Sequence, residues 1–289
     1  MPDLNLVPPA VGYVVAGVFG AVIGSFLNVV IHRVPLEESI VFPNSRCASC
    51  GGAIAFYDNI PVLSWVMLGA KCRRCKERIS IRYPAVELLT AALFVGVAWH
   101  TGLSAALPFD LLFVSALVAL LFIDAEHMIL PNVITYPGIV FAVVARIAIP
   151  YLTGTPHFDD VPSLQHGALA DMPIWVVSLA GALIGALIGG GSLWLMGWTW
   201  EKLRGIEAMG LGDVKMMFMV GAYLGWRLTI LTIFVGVLTG SVIGIMLMAR
   251  KGERNMQMLL PFGVFLGLGA VAALLFGAPI VEWYAGQFR

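Results

Sequence analysis

Charge is scarce in this chain. Asp, Glu, Lys and Arg make up only 12% of its 289 residues, and 17 basic residues cancel 17 acidic ones. That zero balance selects no partner, and nucleic acid is not expected as one; the distribution of the charges carries the information. The N-terminus, "MPDLNLVPPA", lacks the basic region of a secretory signal. No cleavable signal peptide is therefore expected, and the first apolar stretch reads as a permanent span. Tandem repeats and low-complexity tracts are absent, which excludes solenoids and compositional linkers. A glycine-rich dinucleotide loop is also missing, and no break in the apolar pattern is long enough for a doubly wound domain.

What is abundant is apolar sequence, 60% of all residues. Segments of about 20 residues with almost no charge read as transmembrane helices. Eight are expected, near 9–31, 84–104, 107–124, 131–152, 173–200, 213–226, 228–249 and 259–284. The fold class that follows is an all-α polytopic membrane protein. The polar break at 32–82 is the one place for a small domain, whereas 153–172 reads as an ordinary loop. The domains are therefore a first transmembrane helix (1–31), a polar domain (32–82) and a membrane-embedded domain (83–289).

The basic residues orient the chain. Arg33, Arg46, Lys71, Arg73, Arg74, Lys76, Arg78 and Arg82 follow the first span, Lys202, Arg204 and Lys215 lie between the fifth and sixth, and Arg250, Lys251 and Arg254 precede the last. Threading eight spans places all of these on one side and leaves Arg227, Arg289 and Arg146 for the other. The positive-inside rule makes the rich side cytoplasmic and both termini external. Glycines recur every four residues at 181, 185 and 189 and at 236, 240 and 244, a spacing that lets helix backbones approach closely in lipid.

Two carboxylates fall at one level. Asp213 opens the sixth span after Gly210 and Gly212, and Asp124 ends the third in "LFIDAEHMILPN". From Asp213 to Trp226 the helix would span about 21 Å, short of the roughly 30 Å hydrocarbon core. Either the helix begins before Gly210, or Asp213 lies below the surface in a water-filled depression. Each acid has a plainer explanation: Asp213 as a helix N-cap, Asp124 as a marker of the lipid–water boundary. As a pair at membrane depth they are costly and point to function. Two close carboxylates do not both ionise readily, which suits acid–base hydrolysis of a peptide bond. Glu126 and His127 rank below Asp124 because they fall further out in the turn. Glu87, in "YPAVELL", lies near the inner end of the second span, where it can pair with the polar loop or line a pocket.

All four cysteines, Cys47, Cys50, Cys72 and Cys75, form two C-x-x-C pairs separated by 21 residues. That spacing suits a tetrahedral four-thiolate zinc site with no open position, structural rather than catalytic. A reducing cytoplasm disfavours disulfides, and a segment this short needs a staple.

These segments together resemble the type IV prepilin peptidases, the leader peptidase/N-methyltransferases of bacterial inner membranes. The resemblance is carried by "GSFLNVVIHRVP" at 24–35, the double C-x-x-C, "DNIPVLSW" at 58–65, "ISIRYPAVELLTA" at 79–91, "IDAEHMILPN" at 123–132 and "GLGDVKM" at 210–216. It implies a GxGD-type aspartyl protease with Asp124 and Asp213 as catalytic residues. The implied substrates are type IV prepilins and the pseudopilins of type II secretion, cut after a glycine at the cytoplasmic face of the inner membrane. It also implies methylation of the new N-terminus from S-adenosylmethionine, with Asp58, Asn59, Lys71 and Glu87 as candidate residues for that reaction or for substrate. One departure is "LGAKC": Ala70 stands where family members commonly carry glycine. A presenilin-like or peptidase-only protease is the nearest alternative. A proton-coupled transporter would want its acids at mid-membrane and related repeats, and a zinc-stapled scaffold would leave the aspartate pair without a role.

Overall fold

The computed structural model describes residues 8–47, 49–165, 169–205, 209–251 and 260–287. Arg254 and Arg289, used above for orientation, lie outside the described residues. The chain divides into two compact units, residues 1–119 and 120–289. Among the described residues the secondary structure is helical, apart from two isolated bridges, Arg46 with Ala53 and Lys71 with Arg78.

The first unit is built on α1 (Pro9–Arg33) and α3 (Arg82–Thr101), which pack along each other. Small residues set that packing. A methyl group at Gly20 would lie 2.8 Å from Ala91 Cα, and one at Gly24 2.7 Å from Glu87 Cα, so the backbones meet where α1 lacks side chains. Between these helices the chain makes a polar excursion with one short helix, α2 (Leu63–Met67). The chain passes into the second unit within α4 (Leu107–His127).

The second unit continues with α5 (Asn132–Thr153), the short α6 (Val161–Leu164), and α7 (Ile174–Ala186), which runs through a π turn at Leu187–Gly191 into α8 (Ser192–Arg204). It closes with α9 (Leu211–Leu224), α10 (Trp226–Lys251) and α11 (Phe262–Gly286). Among the described residues, seven segments are long and apolar enough to cross a membrane: Pro9–Leu36, Arg82–Thr101, Leu107–His127, Asn132–Thr153, Ile174–Arg204, Trp226–Ala249 and Phe262–Gly286. The remaining expected span, α9, is a helix of 14 residues. It packs on α5, α7, the π turn and α11, with buried residues all around its circumference. A helix apolar on every side and enclosed by protein has no need to match the hydrocarbon thickness by itself. Its contacts are close: Gly185 of α7 faces Gly221 of α9 backbone to backbone, and Gly189 faces the Met217 carbonyl. On α10, Gly236 and Gly240 face Leu266 and Phe265 of α11.

The stretch 153–172, expected to be an ordinary loop, is anchored at two points. Arg146 of α5 and Asp160 form a bidentate ion pair, 2.7 and 2.8 Å, with both side chains fully buried. Arg146 Nε also donates to the Ala222 carbonyl at 3.1 Å, and the guanidinium stacks on Phe158. Gly181 and Gly225 leave the space for Asp160. Beside it Arg227 pairs with Asp159 at 3.2 Å. Burial raises the Asp159 carboxyl above its ordinary value, and the Arg227 cation opposes that rise.

Candidate active site

α9 begins at Leu211, with Gly210 as its N-cap and no side-chain capping bond. The helix therefore does not start before Gly210. Asp213 is its third residue, not its cap. Asp124 lies in the last turn of α4, buried at 5% exposure, so it does not mark a solvent boundary. Glu126 and His127, the next candidates, are exposed. The carboxylate of Asp124 sits at the unfavourable end of its own helix dipole. It is met there by the opposite end of another helix: Val264, in the first turn of α11, donates its backbone N–H to Asp124 Oδ2 at 3.0 Å.

The two aspartates face one point. A methyl group built on Gly263 would lie 2.8 Å from Asp124 Oδ2 and 3.0 Å from Asp213 Oδ1, so the two oxygens are separated by no more than the sum of those distances. Leu130, from the turn joining α4 to α5, completes the boundary: its Cδ1 is 3.1 Å from the same point, and its Cβ is 3.0 Å from where a Gly212 side chain would start. Lys215 Nζ donates to Asn132 Oδ1 at 2.8 Å and lies over the Tyr136 ring. That contact ties the start of α9 to the start of α5. Gly210 lies further from the pair, and a side chain there would first meet Asp213 Oδ2 at 3.7 Å.

The four cysteines also converge. Their sulfurs lie within 4.8 Å of one another, and Cys47 Sγ and Cys75 Sγ are 3.8 Å apart. A tetrahedron of metal–sulfur bonds near 2.3 Å has edges of about 3.8 Å, so the four thiols can hold a metal ion. Each knuckle closes on itself, with Gly51 N–H to the Cys47 carbonyl at 2.9 Å and Lys76 N–H to the Cys72 carbonyl at 3.1 Å. The amides of Cys50 and Ser49 hold the Cys47 thiol down at about 6. Cys75 is pushed up to about 11, its Glu77 hydrogen bond outweighed by desolvation and the neighbouring thiols. A cation at the centre reverses that repulsion.

The remaining polar candidates are committed elsewhere. Asp58 makes a bidentate pair with Arg73, 2.6 and 2.7 Å. Glu87 is buried and accepts the Val62 N–H at 2.7 Å. Val62 is held at φ +61, with Leu63 N–H bonded to the Pro61 carbonyl at 2.6 Å. That is a tight γ-turn, rare for a β-branched residue. Asn59 ends a short 3-10 turn, and Lys71 sits on the bridge beside the second knuckle.

Comparison with known proteins bears on what this arrangement serves. The Bacterial Peptidase A24 N-terminal domain family matches residues 18–101, and the Type IV leader peptidase family matches residues 111–245. A prepilin leader peptidase/N-methyltransferase of Pseudomonas aeruginosa is 37% identical, covering 92% of this chain and 90% of its own length. The chain belongs to the type IV leader peptidase family. Proteins of the same name from Dichelobacter nodosus and Myxococcus xanthus are 35% and 41% identical. The former alignment covers 97% of both chains; the latter covers 82% of this chain and 63% of the relative. No solved structure matches. Gly263 and Val264 fall beyond residue 245, outside both segments matched by the family models. Sequence reasoning missed them as well, although "PFG" at 261–263 is a visible entry signal for a helix.

Proposed function

We propose that the protein cleaves the leader peptide of type IV prepilins and pseudopilins, with Asp124 and Asp213 as the catalytic pair. The observation that carries this reading is the convergence of both carboxylates on the space beside Gly263. One carboxylate takes a proton from water as its oxygen bonds to the scissile carbonyl carbon. The other gives its proton to the carbonyl oxygen, and collapse of the tetrahedral intermediate breaks the C–N bond as the amine is protonated. The positive-inside pattern puts this chemistry at the cytoplasmic face of the inner membrane, where a membrane-anchored substrate with a short basic leader exposes its bond. Residues 83–289 act as the peptidase domain and 32–82 as a cytoplasmic domain stapled by zinc on Cys47, Cys50, Cys72 and Cys75. Four thiolates leave that ion no open position, so it stabilises and does not catalyse.

N-methylation of the new N-terminus from S-adenosylmethionine rests on family membership. Within the loop Asp58 is bonded to Arg73, and Glu87 holds the loop by accepting the Val62 N–H. A proton-coupled transporter is disfavoured because the acids meet at helix ends rather than in mid-helix.

The test is mass spectrometry on the protein in lipid with a prepilin substrate. Asp124→Asn and Asp213→Asn are each expected to abolish cleavage with insertion intact. Substantial cleavage by either variant removes that residue from the mechanism.

A further inference from the structure

The first turn of α11 holds a third part of the peptidase site. We infer that Gly263 and the backbone amide of Val264 are positioning elements for the catalytic pair, a role that rests on the reading of Asp124 and Asp213 above. Pro261 enters this helix in an extended conformation, and Phe262, Gly263 and Val264 form its first turn. N–H groups in a first helical turn have no partner four residues back. That of Val264 makes a long bond to the Pro261 carbonyl, 3.3 Å, and a shorter one to Asp124 Oδ2, 3.0 Å. Asp124 is thereby aimed by a donor fixed to the main chain.

Gly263 does the complementary work by having no side chain. It is buried, and its hydrogen faces Asp124, Asp213 and Leu130 together. Two independent segments, α9 and the stretch running from the last turn of α4 into the α4–α5 turn, thus converge on a single absent methyl group. At 2.8 and 3.0 Å a real Cβ would sit inside van der Waals contact with both carboxylate oxygens. It would have to displace at least one of them. It would also occupy the space in which water and a scissile carbonyl must lie between the two acids. A displacement on the order of 1 Å at a reacting group costs about 100-fold in rate.

The experiment uses the full-length protein in lipid nanodiscs with a prepilin peptide, measuring kcat and KM. Gly263→Ala is expected to lower kcat by about 100-fold with KM within about threefold. Val264→Ala keeps the N–H, so its kcat is expected to exceed that of Val264→Pro by at least about tenfold. Val264→Pro deletes the N–H within the first turn of α11, where it has no partner four residues back, and is expected to lose kcat as Gly263→Ala does. A loss confined to thermal stability, with kcat unchanged in both Gly263→Ala and Val264→Pro, overturns the inference. If Gly263→Ala fails to fold, the contrast between Val264→Pro and Val264→Ala decides alone. Asp124→Asn and Asp213→Asn run alongside: if they still cleave, the catalytic reading itself has failed, whereas inactive aspartate variants beside fully active Gly263→Ala and Val264→Pro refute only the role given to α11.

Discussion

Replacing Arg146 by methionine strands the Asp160 carboxylate by removing its bidentate partner. The guanidinium contributes two bonds to Asp160 and one to the Ala222 carbonyl, and it lies on the Phe158 ring. Both side chains are fully buried. Gly181 of α7 and Gly225, between α9 and α10, lie against the carboxylate, a methyl at Gly181 coming 2.5 Å from Asp160 Oδ2. Breaking a buried pair from one side costs about 3–5 kcal/mol. Arg146→Met is expected to fall in that range, and Asp160→Asn toward its lower end, because the amide retains an acceptor for the guanidinium. Removing both charges removes the uncompensated ion. The double variant should therefore lose less than the sum of the singles, with a coupling near 2 kcal/mol, inside the usual range for contacting residues. Denaturant titration of the purified protein in mixed micelles, followed by tryptophan fluorescence, measures all four corners of the cycle. Singles within about 1 kcal/mol of the parent, or costs that simply add, would refute the reasoning, since either result means the pair is hydrated or dispensable.

Ala70 has φ +57 and Gly69 φ +58, and Lys71 N–H bonds to the Leu68 carbonyl at 3.3 Å, the pattern of a type I′ turn. A left-handed alanine costs about 1–2 kcal/mol, partly offset by the greater freedom glycine has when unfolded; Ala70→Gly should therefore strengthen the loop by roughly 0.5–1 kcal/mol, read as slower release of metal to a chelator, and a neutral or faster release counts against the turn. Purified protein is expected to carry one zinc per chain by elemental analysis, and replacing Cys72 by serine should deplete it; metal-free protein with an intact loop would remove the staple. Asp159, raised by burial, binds its proton more tightly folded than unfolded. Its contribution to stability is full below the ordinary carboxylate value and is lost as pH rises through the raised one; Asp159→Asn should flatten that part of the pH–stability curve, and an unchanged slope would assign it to another group.

The helices were legible because lipid imposes a simple demand: about 20 apolar residues with every backbone group bonded inside the segment. Cysteine spacing was legible for a similar reason, since a two-residue gap sets where two sulfurs can point. The approach of Asp124 to Asp213 could only be supposed, because it depends on α11, whose part is played by a backbone amide and a missing side chain. Neither leaves a chemical signature in a sequence. The sequence shows Arg146 as one of the few basic residues of the outer side and 153–172 as an ordinary loop, although "FDDV" beside an arginine within an apolar span is the kind of mutual need that buried charge creates. At Val62 nothing in "IPVLSW" announces a positive φ, because the strain is imposed by Glu87, 25 residues downstream.

The π turn at Leu187–Gly191 can be regarded as a phase shifter. Each α-helical residue advances the helix by about 100°, and the turn accommodates a residue beyond what an α-helical path between the same ends would hold. Everything upstream of it, Gly181 and Gly185 included, keeps one angular phase, locked to α9 and the ion pair. Everything downstream has another: Trp194 stacked on Trp198, Lys202 over Trp198 and Arg204 over Trp200, an aromatic and basic girdle of the kind found at membrane interfaces. Deleting a single residue within 187–191 would rotate that girdle by about 100° and, because Gly189 and Gly190 lie against Met217 and Phe218, would also disturb the seat of α9. Anchoring to the bilayer and the placement of α9 are thus coupled through one five-residue turn.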